Sequence, residues 1–342
     1  MNNQNSQSTT EGDALQPNPP SSFSPFGLDL FGEPIRPETK SPVAQKFIVS
    51  PFSVLSARDG AWQDRKRAWT GMGIQSELGR ADEMTYMGAA KSFDHYRVKE
   101  GVRESTEEQG TSIFDPVVCE LMYSWFSGKG AQVVDPFAGG SVRGIVASCL
   151  GRKYWGGELR GEQVEENRKQ GADLCPGDTD LCWEEGDSVK TLDNAPDADF
   201  VFSCPPYGDL EIYSDDPDDI SNMEYHTFKA AYGRIILKAV KRLKQDRFAC
   251  FVVGDFRDKK GFYRNFVSDT IAAFEAAGAR FYNEAILVTS VGSGSMRVTR
   301  QFEAGRKLVK THQNILVFCK GDWKKATKAA IEGEIQTNTK TI

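Results

Sequence analysis

The sequence predicts an α/β protein with a seven-stranded, mostly parallel sheet, helices on both faces and an antiparallel last strand. Three observations predict it. From Thr111 onward, short apolar runs alternate with amphipathic stretches, the pattern of β-α-β units. The first apolar run ends in glycine-rich text that leads straight into a helical period, as at the carboxyl end of a parallel strand. The last two runs are joined by a loop rather than by a clear helix, which suggests an antiparallel end.

The elements follow in order. Asp115 is a plausible N-cap for a helix over DPVVCELMYSWF, residues 115–126. AQVVDPF, beginning at Ala131, is the first strand, and SVRGIVASCLG from Ser141 is a helix. KYWGGEL is the second strand, GEQVEENRKQGADL a helix and LCWEEGD the third strand. ADFVFSC is the fourth, followed by a helix at about 225–244, the strand FACFVVGDF and a helix at about 263–277. ARFYNEAILVT and QNILVFCKG complete the sheet.

The flanks read differently. Seven of the fifteen prolines fall within residues 1–42, amid Asn, Gln, Ser and Thr, so this stretch is expected to be a disordered tail. Residues 43–110 form an extension in which Trp62 and Trp69 stand one heptad apart around Arg65, Lys66 and Arg67. That arrangement suits either packing on the main domain or contact with nucleic acid. Residues 82–110 read as irregular, and 324–342 as a basic and polar C-terminal tail.

Composition narrows the function classes. A net charge of −6 and a pI near 5.4 argue against a general nucleic-acid coat protein, although local basic patches can still bind phosphate. No apolar run approaches the ~18–20 residues of a membrane span. The N-terminus MNNQNSQSTTEGD lacks the pattern of a signal peptide, so a cytoplasmic location is expected. Seven cysteines without a C-x-x-C pair and three scattered histidines give no disulfide framework and no metal site. Oligomeric state is not legible.

The chemistry sits at strand ends. Asp135-Pro136-Phe137-Ala138-Gly139-Gly140-Ser141 closes the first strand, where open α/β sheets bind ligands and where glycine lets a ligand approach the backbone. The second strand ends in Glu158, whose carboxylate suits ribose hydroxyls, and the third in Asp187. Three successive strands ending in acids point to a cationic, ribose-bearing ligand. The fourth strand ends in Ser203-Cys204-Pro205-Pro206-Tyr207. Its prolines hold the chain extended and the tyrosine offers a face for a flat ring, which suits clamping an extruded base. Asp255, at the end of the fifth strand, stands near the same edge.

DPFAGGS, the strand-end Glu and Asp, and CPPY together resemble the S-adenosylmethionine-dependent amino-methyltransferases of DNA, and within them phage DNA methylases. The resemblance covers about Thr111 to Asp322, including TSIFDPVVCEL and THQNILVFCKGD. It implies a Rossmann-like class I methyltransferase domain over residues 111–323, with S-adenosylmethionine as cofactor and DNA as partner. Carried over by position, Phe114, Asp115, Asp135, Phe137, Gly139 and Gly140 hold the methionine part. Glu158 takes the ribose hydroxyls, Asp187 the adenine amine, and Cys204, Pro205, Pro206 and Tyr207 face the target base. The implied reaction is direct methyl transfer to cytosine N4 or adenine N6, without metal. Ser141 stands where the family has glycine, and Cys204 where it has Asp, Asn or Ser. A thiol is a weak acceptor. RNA as substrate, pyrimidine C5 transfer through Cys204, and an inactive binding protein are therefore the alternatives.

Two further stretches bear on the partner. GDLEIYSDDPDDISNMEY, after Tyr207, is acidic and reads as a solvated lid. Residues 297–328 are basic, and Arg297, Arg300, Arg306, Lys307 and Lys310, around a loop beginning SVGSGSM, are the candidates for contact with a nucleic-acid backbone.

Overall fold

The computed structural model describes residues 41–74, 114–207, 220–292 and 294–335, which from Pro42 onward belong to one compact unit. Among the described residues eight strands form one sheet: β1 (Val54–Ser56), β2 (Gln132–Asp135), β3 (Lys153–Glu158), β4 (Leu181–Glu185), β5 (Ala198–Ser203), β6 (Leu243–Val253), β7 (Arg280–Val288) and β8 (His312–Lys320). Their order is β1-β7-β8-β6-β5-β2-β3-β4. All neighbouring pairs are parallel except those of β8, which runs antiparallel to both β6 and β7.

The helices are α1 (Pro42–Phe47), α2 (Gly60–Thr70), α3 (Pro116–Phe126), α4 (Val142–Cys149), α5 (Gly161–Leu174), α6 (Ser188–Thr191), α7 (Tyr225–Arg242), α8 (Phe266–Ala276), α9 (Gly294–Gly305) and α10 (Trp323–Ile335). Alternate residues of a strand point to opposite faces, so the central strands, apolar on both, feed two cores. Val133, Phe200, Phe202 and Val317 pack under α3, α4 and α10, joined by Trp62 of α2. Val134, Val201, Phe251 and Phe318 pack against α7 and α8, through Phe228, Tyr232, Phe266 and Phe274.

Seven strands match the expected Rossmann-like arrangement, mostly parallel with the last one antiparallel. The eighth, β1, is a correction: Leu55 and its neighbours add to β7 in parallel, at a register of Leu55 to Leu287. A three-residue strand is too short to show periodicity. Two other differences concern helices. The loop expected before β8 contains α9, masked in the sequence by its Gly-Ser opening. The C-terminal tail begins as α10, whose Ala326 and Ala330 face the sheet, a stripe of small residues that a hydropathy reading underweights. Residues 1–40 of the tail expected over 1–42, the irregular stretch, and residues 208–219 of the acidic segment lie outside the described residues.

Strand order reverses between β2 and β5, because the chain leaves β2 toward β3 and β4 and returns on the other side. A crevice at the carboxyl ends of the strands is expected at this switch point, and the loops after β2 and β5 flank it.

Candidate functional site at the carboxyl edge of the sheet

The loop after β2 is held by a buried polar network. Asp135 is fully buried, and its carboxylate accepts from Arg143 Nε (2.6 Å), Tyr154 Oη (2.8 Å), Ser203 Oγ and the amide of Phe137 (3.1 Å). Arg143 also donates to the carbonyls of Phe137 and Ala138 and stacks its guanidinium 4.6 Å from the ring centre of Phe114. The charge pair is thus closed on both sides, the condition under which a buried ion pair is tolerated. Burial opposes the charge on the Arg143 guanidinium, and the neighbouring anionic groups, Asp135 foremost, outweigh it and raise its pKa.

Further bonds tie this loop to the other strand ends. The amide of Gly139 donates to Glu158 Oε2 (2.9 Å), and the carbonyl of Gly139 accepts from Asn167 of α5 (2.7 Å). Gly139 has φ of +52°, a left-handed conformation that favours glycine, and a Cβ built there would meet open space. Glu158 also accepts from the amide of Arg160 (3.1 Å). Burial pushes its carboxyl up, against the pull of the Arg160 charge and these two amides. Asp187 caps α6 by accepting from Val189 N (2.8 Å), and Ser188 beside it donates to the carbonyl of Pro136.

The turn after β5 is tied to the same loop, because Ser203 Oγ donates to Asp135 and also accepts from the amide of Phe137 (3.2 Å). Pro205 is buried, whereas Cys204, Pro206 and Tyr207 are half-buried. Tyr207 meets Phe256 and Phe266 edge-on, with ring centres 6.3 and 6.2 Å away, and its hydroxyl accepts from Gln313 Nε2 (2.7 Å). A Cβ at Gly254 would lie 3.7 Å from Lys310 Nζ and 3.9 Å from Tyr207 Cε1, so these two side chains converge on one glycine. Burial lowers the pKa of the Lys310 ammonium, opposed by Asp255, and His312 is lowered by burial and then by Lys310.

The structure therefore gathers Asp135, Phe137, Gly139, Gly140, Glu158, Asp187 and the Cys204–Tyr207 turn along one edge. Asp135 lies behind the loop and engages protein groups. Phe114 packs against Phe202 and Arg143. The Asp115 carboxylate caps α3 through Val117 N (3.0 Å), accepts from Trp62 Nε1 (3.1 Å) and lies 3.6 Å from Lys66. Arg65 and Trp69 likewise bond Glu120 of α3. Trp62, Arg65, Lys66 and Trp69 of α2 thus turn toward Asp115 and α3, whereas Arg67 pairs with Asp64 of its own helix.

The basic residues divide. Arg297 and Arg300 are exposed on α9, and Arg306 lies 5.1 Å from the ring centre of Phe302, whereas Lys307 and Lys310 approach the carboxyl edge. Sequence reasoning gave no role of their own to Arg143, Ser203, Asn167 and Gln313. Of these, Arg143 left a trace, as a lone cation within the otherwise apolar helix text SVRGIVASC.

Among the described residues no cluster of three His, Cys, Asp or Glu side chains is arranged to hold a metal, and no helix is long and apolar enough to cross a membrane.

No family model and no curated protein matches the chain. Among solved structures it is similar to TrmN from Thermus thermophilus, at 16% identity over 60% of this chain and 49% of that one, with a TM-score of 0.41. It thus spans about half the length of TrmN. It is also similar to magnesium protoporphyrin IX methyltransferase from Synechocystis PCC 6803 with bound S-adenosylmethionine, at 11% identity, 72% and 100% coverage and a TM-score of 0.39. A candidate DNA modification methylase, also from Thermus thermophilus, shows 19% identity, 40% and 51% coverage and a TM-score of 0.30. The fold class itself rests on strand order and register.

Proposed function

We propose that the chain is an S-adenosylmethionine-dependent methyltransferase acting on an exocyclic amine of a DNA base, cytosine N4 or adenine N6. The observation that carries the reading is Ser203, which bonds both Asp135 and the Phe137 amide and so makes the glycine-rich loop and the Cys204–Tyr207 turn one unit. Two reactants held by a single rigid unit meet without further ordering, and positioning of that kind lowers a barrier by up to about 7–11 kcal/mol.

The residues fit the cofactor. Open space lies at Gly139, beside a strand-end glutamate that retains acceptor capacity after receiving two amides. Glu158 would take the ribose hydroxyls, Asp187 the adenine amine, and the backbone of Phe137 to Gly140 the methionine part. Asp135 and Arg143 act one layer behind, by holding that backbone in place. When bound, the cofactor supplies an electrophilic methyl group on its sulfonium.

The rest belongs to the chain. Tyr207 stacks on the target base, with its hydroxyl fixed by Gln313. The carbonyl of Pro205 accepts a hydrogen bond from the target amine and turns its lone pair toward the methyl, with Cys204 adding a weak acceptor. The nitrogen–methyl bond forms as the sulfur–methyl bond breaks, and the amine's surplus proton passes to water. Lys310, beside Tyr207, supplies positive charge for a flanking phosphate.

The test is mass spectrometry of nucleosides from DNA incubated with the full chain and S-adenosylmethionine labelled in its methyl group. The reading predicts labelled N4-methylcytosine or N6-methyladenine. Labelled 5-methylcytosine, label only in ribonucleosides of a parallel RNA incubation, or no label despite cofactor binding contradicts it.

A further inference from the structure

Beyond β6, outside the loops that form the cofactor and base sites, the chain makes a short hairpin. Its base is set by Arg264 N donating to the carbonyl of Phe256 (2.9 Å) and Asp258 N to that of Phe262 (2.8 Å), with Arg257 and Tyr263 bridged antiparallel. The tip is closed by Gly261 N on the carbonyl of Asp258 (2.9 Å) and Phe262 N on Asp258 Oδ1 (2.9 Å). Gly261 takes φ of +92°, as a tight turn of this kind requires. The Arg257 guanidinium donates to the Gly261 carbonyl (2.9 Å) and lies 4.0 Å from the ring centre of Tyr263. The turn is bonded from within.

What this turn presents is unusual for a solvated loop. Phe262 is 71% exposed and Tyr263 45% exposed, with Lys259 and Lys260 beside them. Lys307 reaches the same tip: a Cβ at Gly261 would lie 2.5 Å from its Nζ. The one acid at the tip, Asp258, is turned onto backbone amides, which hold its carboxyl below the usual range. The tip is therefore aromatic and cationic, the combination that stacks on bases and neutralises phosphates. Its position matters too. The hairpin springs from Phe256, whose ring meets that of Tyr207.

Resting on the function proposed above, we infer that the hairpin over residues 256–264 is a wedge that enters duplex DNA at the target base pair. Phe262 takes the stacking place left by the displaced base, while Lys259, Lys260 and Lys307 engage flanking phosphates. The charge of the tip fits an anionic duplex. A base that leaves the stack on one side of the Phe256–Tyr207 contact is received by Tyr207 on the other.

The wedge predicts a dependence on strand pairing. Initial methylation rates of the full chain and of Phe262→Ala are compared on native and heat-denatured plasmid DNA, with S-adenosylmethionine carrying a tritiated methyl. Phe262→Ala is expected to lose about tenfold or more of the rate on native DNA, because unstacking is then uncompensated, and to keep the parent rate on denatured DNA. Phe262→Trp, which restores a stacking face, recovers the native-DNA rate. Since Phe262 is exposed, neither change removes a core contact. Parent-like rates for Phe262→Ala on both substrates, or an equal loss on both, overturn the wedge and leave the methyltransferase reading intact. A parent chain that binds S-adenosylmethionine yet methylates neither DNA overturns that reading, and the wedge with it.

Discussion

The loop after β2 and the hairpin after β6 stand on the same edge of one sheet, yet they are built in opposite ways. The first is turned inward, around a buried carboxylate bonded to groups from β3, β5 and α4. The second is bonded within itself and turns a phenylalanine, a tyrosine and two lysines outward. Removing a group from the first leaves a buried partner stranded, whereas removing one from the second leaves the fold as it was. The difference teaches where each class of ligand belongs. A small molecule needs a rigid cradle, and a macromolecule needs an accessible surface that complements its charge and stacking.

The comparison breaks most sharply at Asp135. Asp135→Ala strands the Arg143 guanidinium in a buried site, and loss of one partner of such a pair costs about 3–5 kcal/mol. Chemical denaturation should report that loss, and cofactor binding should disappear with the loop geometry. A variant of parent stability would show that the network is not the framework of the loop.

Next in size is Tyr207→Ala. In the proposed function the tyrosine receives the base, so cofactor affinity should hold while transfer falls by about a hundredfold, the scale of a misplaced reactant. Binding measured calorimetrically and turnover measured with labelled cofactor separate the two. Intact turnover would remove the base from this turn.

The outer surface predicts the smallest effect on the fold. Neutralising Arg306, Lys307 and Lys310 together should leave cofactor binding unchanged, weaken DNA binding and reduce its salt dependence by about one unit of slope for each phosphate no longer neutralised. An unchanged slope would assign the patch another role. Arg306, which sits at φ of +52°, is best changed to asparagine, since that residue tolerates the left-handed region.

Much of the inner region was legible in the sequence. Strand-end acids and glycines announce themselves because a parallel sheet buries its strands and leaves chemistry only at their ends, so Asp135, Glu158 and Asp187 stood out. What did not show was direction. Asp135 and Glu158 read alike as strand-end acids, but Tyr154 and Arg143 close over the first, and only the fold reveals that enclosure. Asp115 read as a ligand residue, and its bond to Trp62 did not show, because the contact spans 53 residues of sequence and no local pattern encodes it. The outer region was less legible. Its hairpin is too short to show a period and combines backbone bonds with closures by Asp258 and Arg257, and α9 carries few buried side chains from which a period might be read.

The central claim is that the carboxyl edge around Gly139 and Glu158 binds S-adenosylmethionine. It is tested most directly by calorimetric titration of the full chain with S-adenosylhomocysteine, which lacks the methyl and with it the sulfonium charge, beside the same titration of Glu158→Ala. The account predicts one site on the parent chain and a loss of about tenfold to a hundredfold in the variant, the worth of hydrogen bonds to a charged group. It also predicts a pH dependence. Burial raises the Glu158 carboxyl, so the parent's affinity should fall as pH is lowered through a midpoint above the ordinary glutamate value, and the variant should lack that limb. No binding by the parent, or undiminished binding by Glu158→Ala, would contradict it.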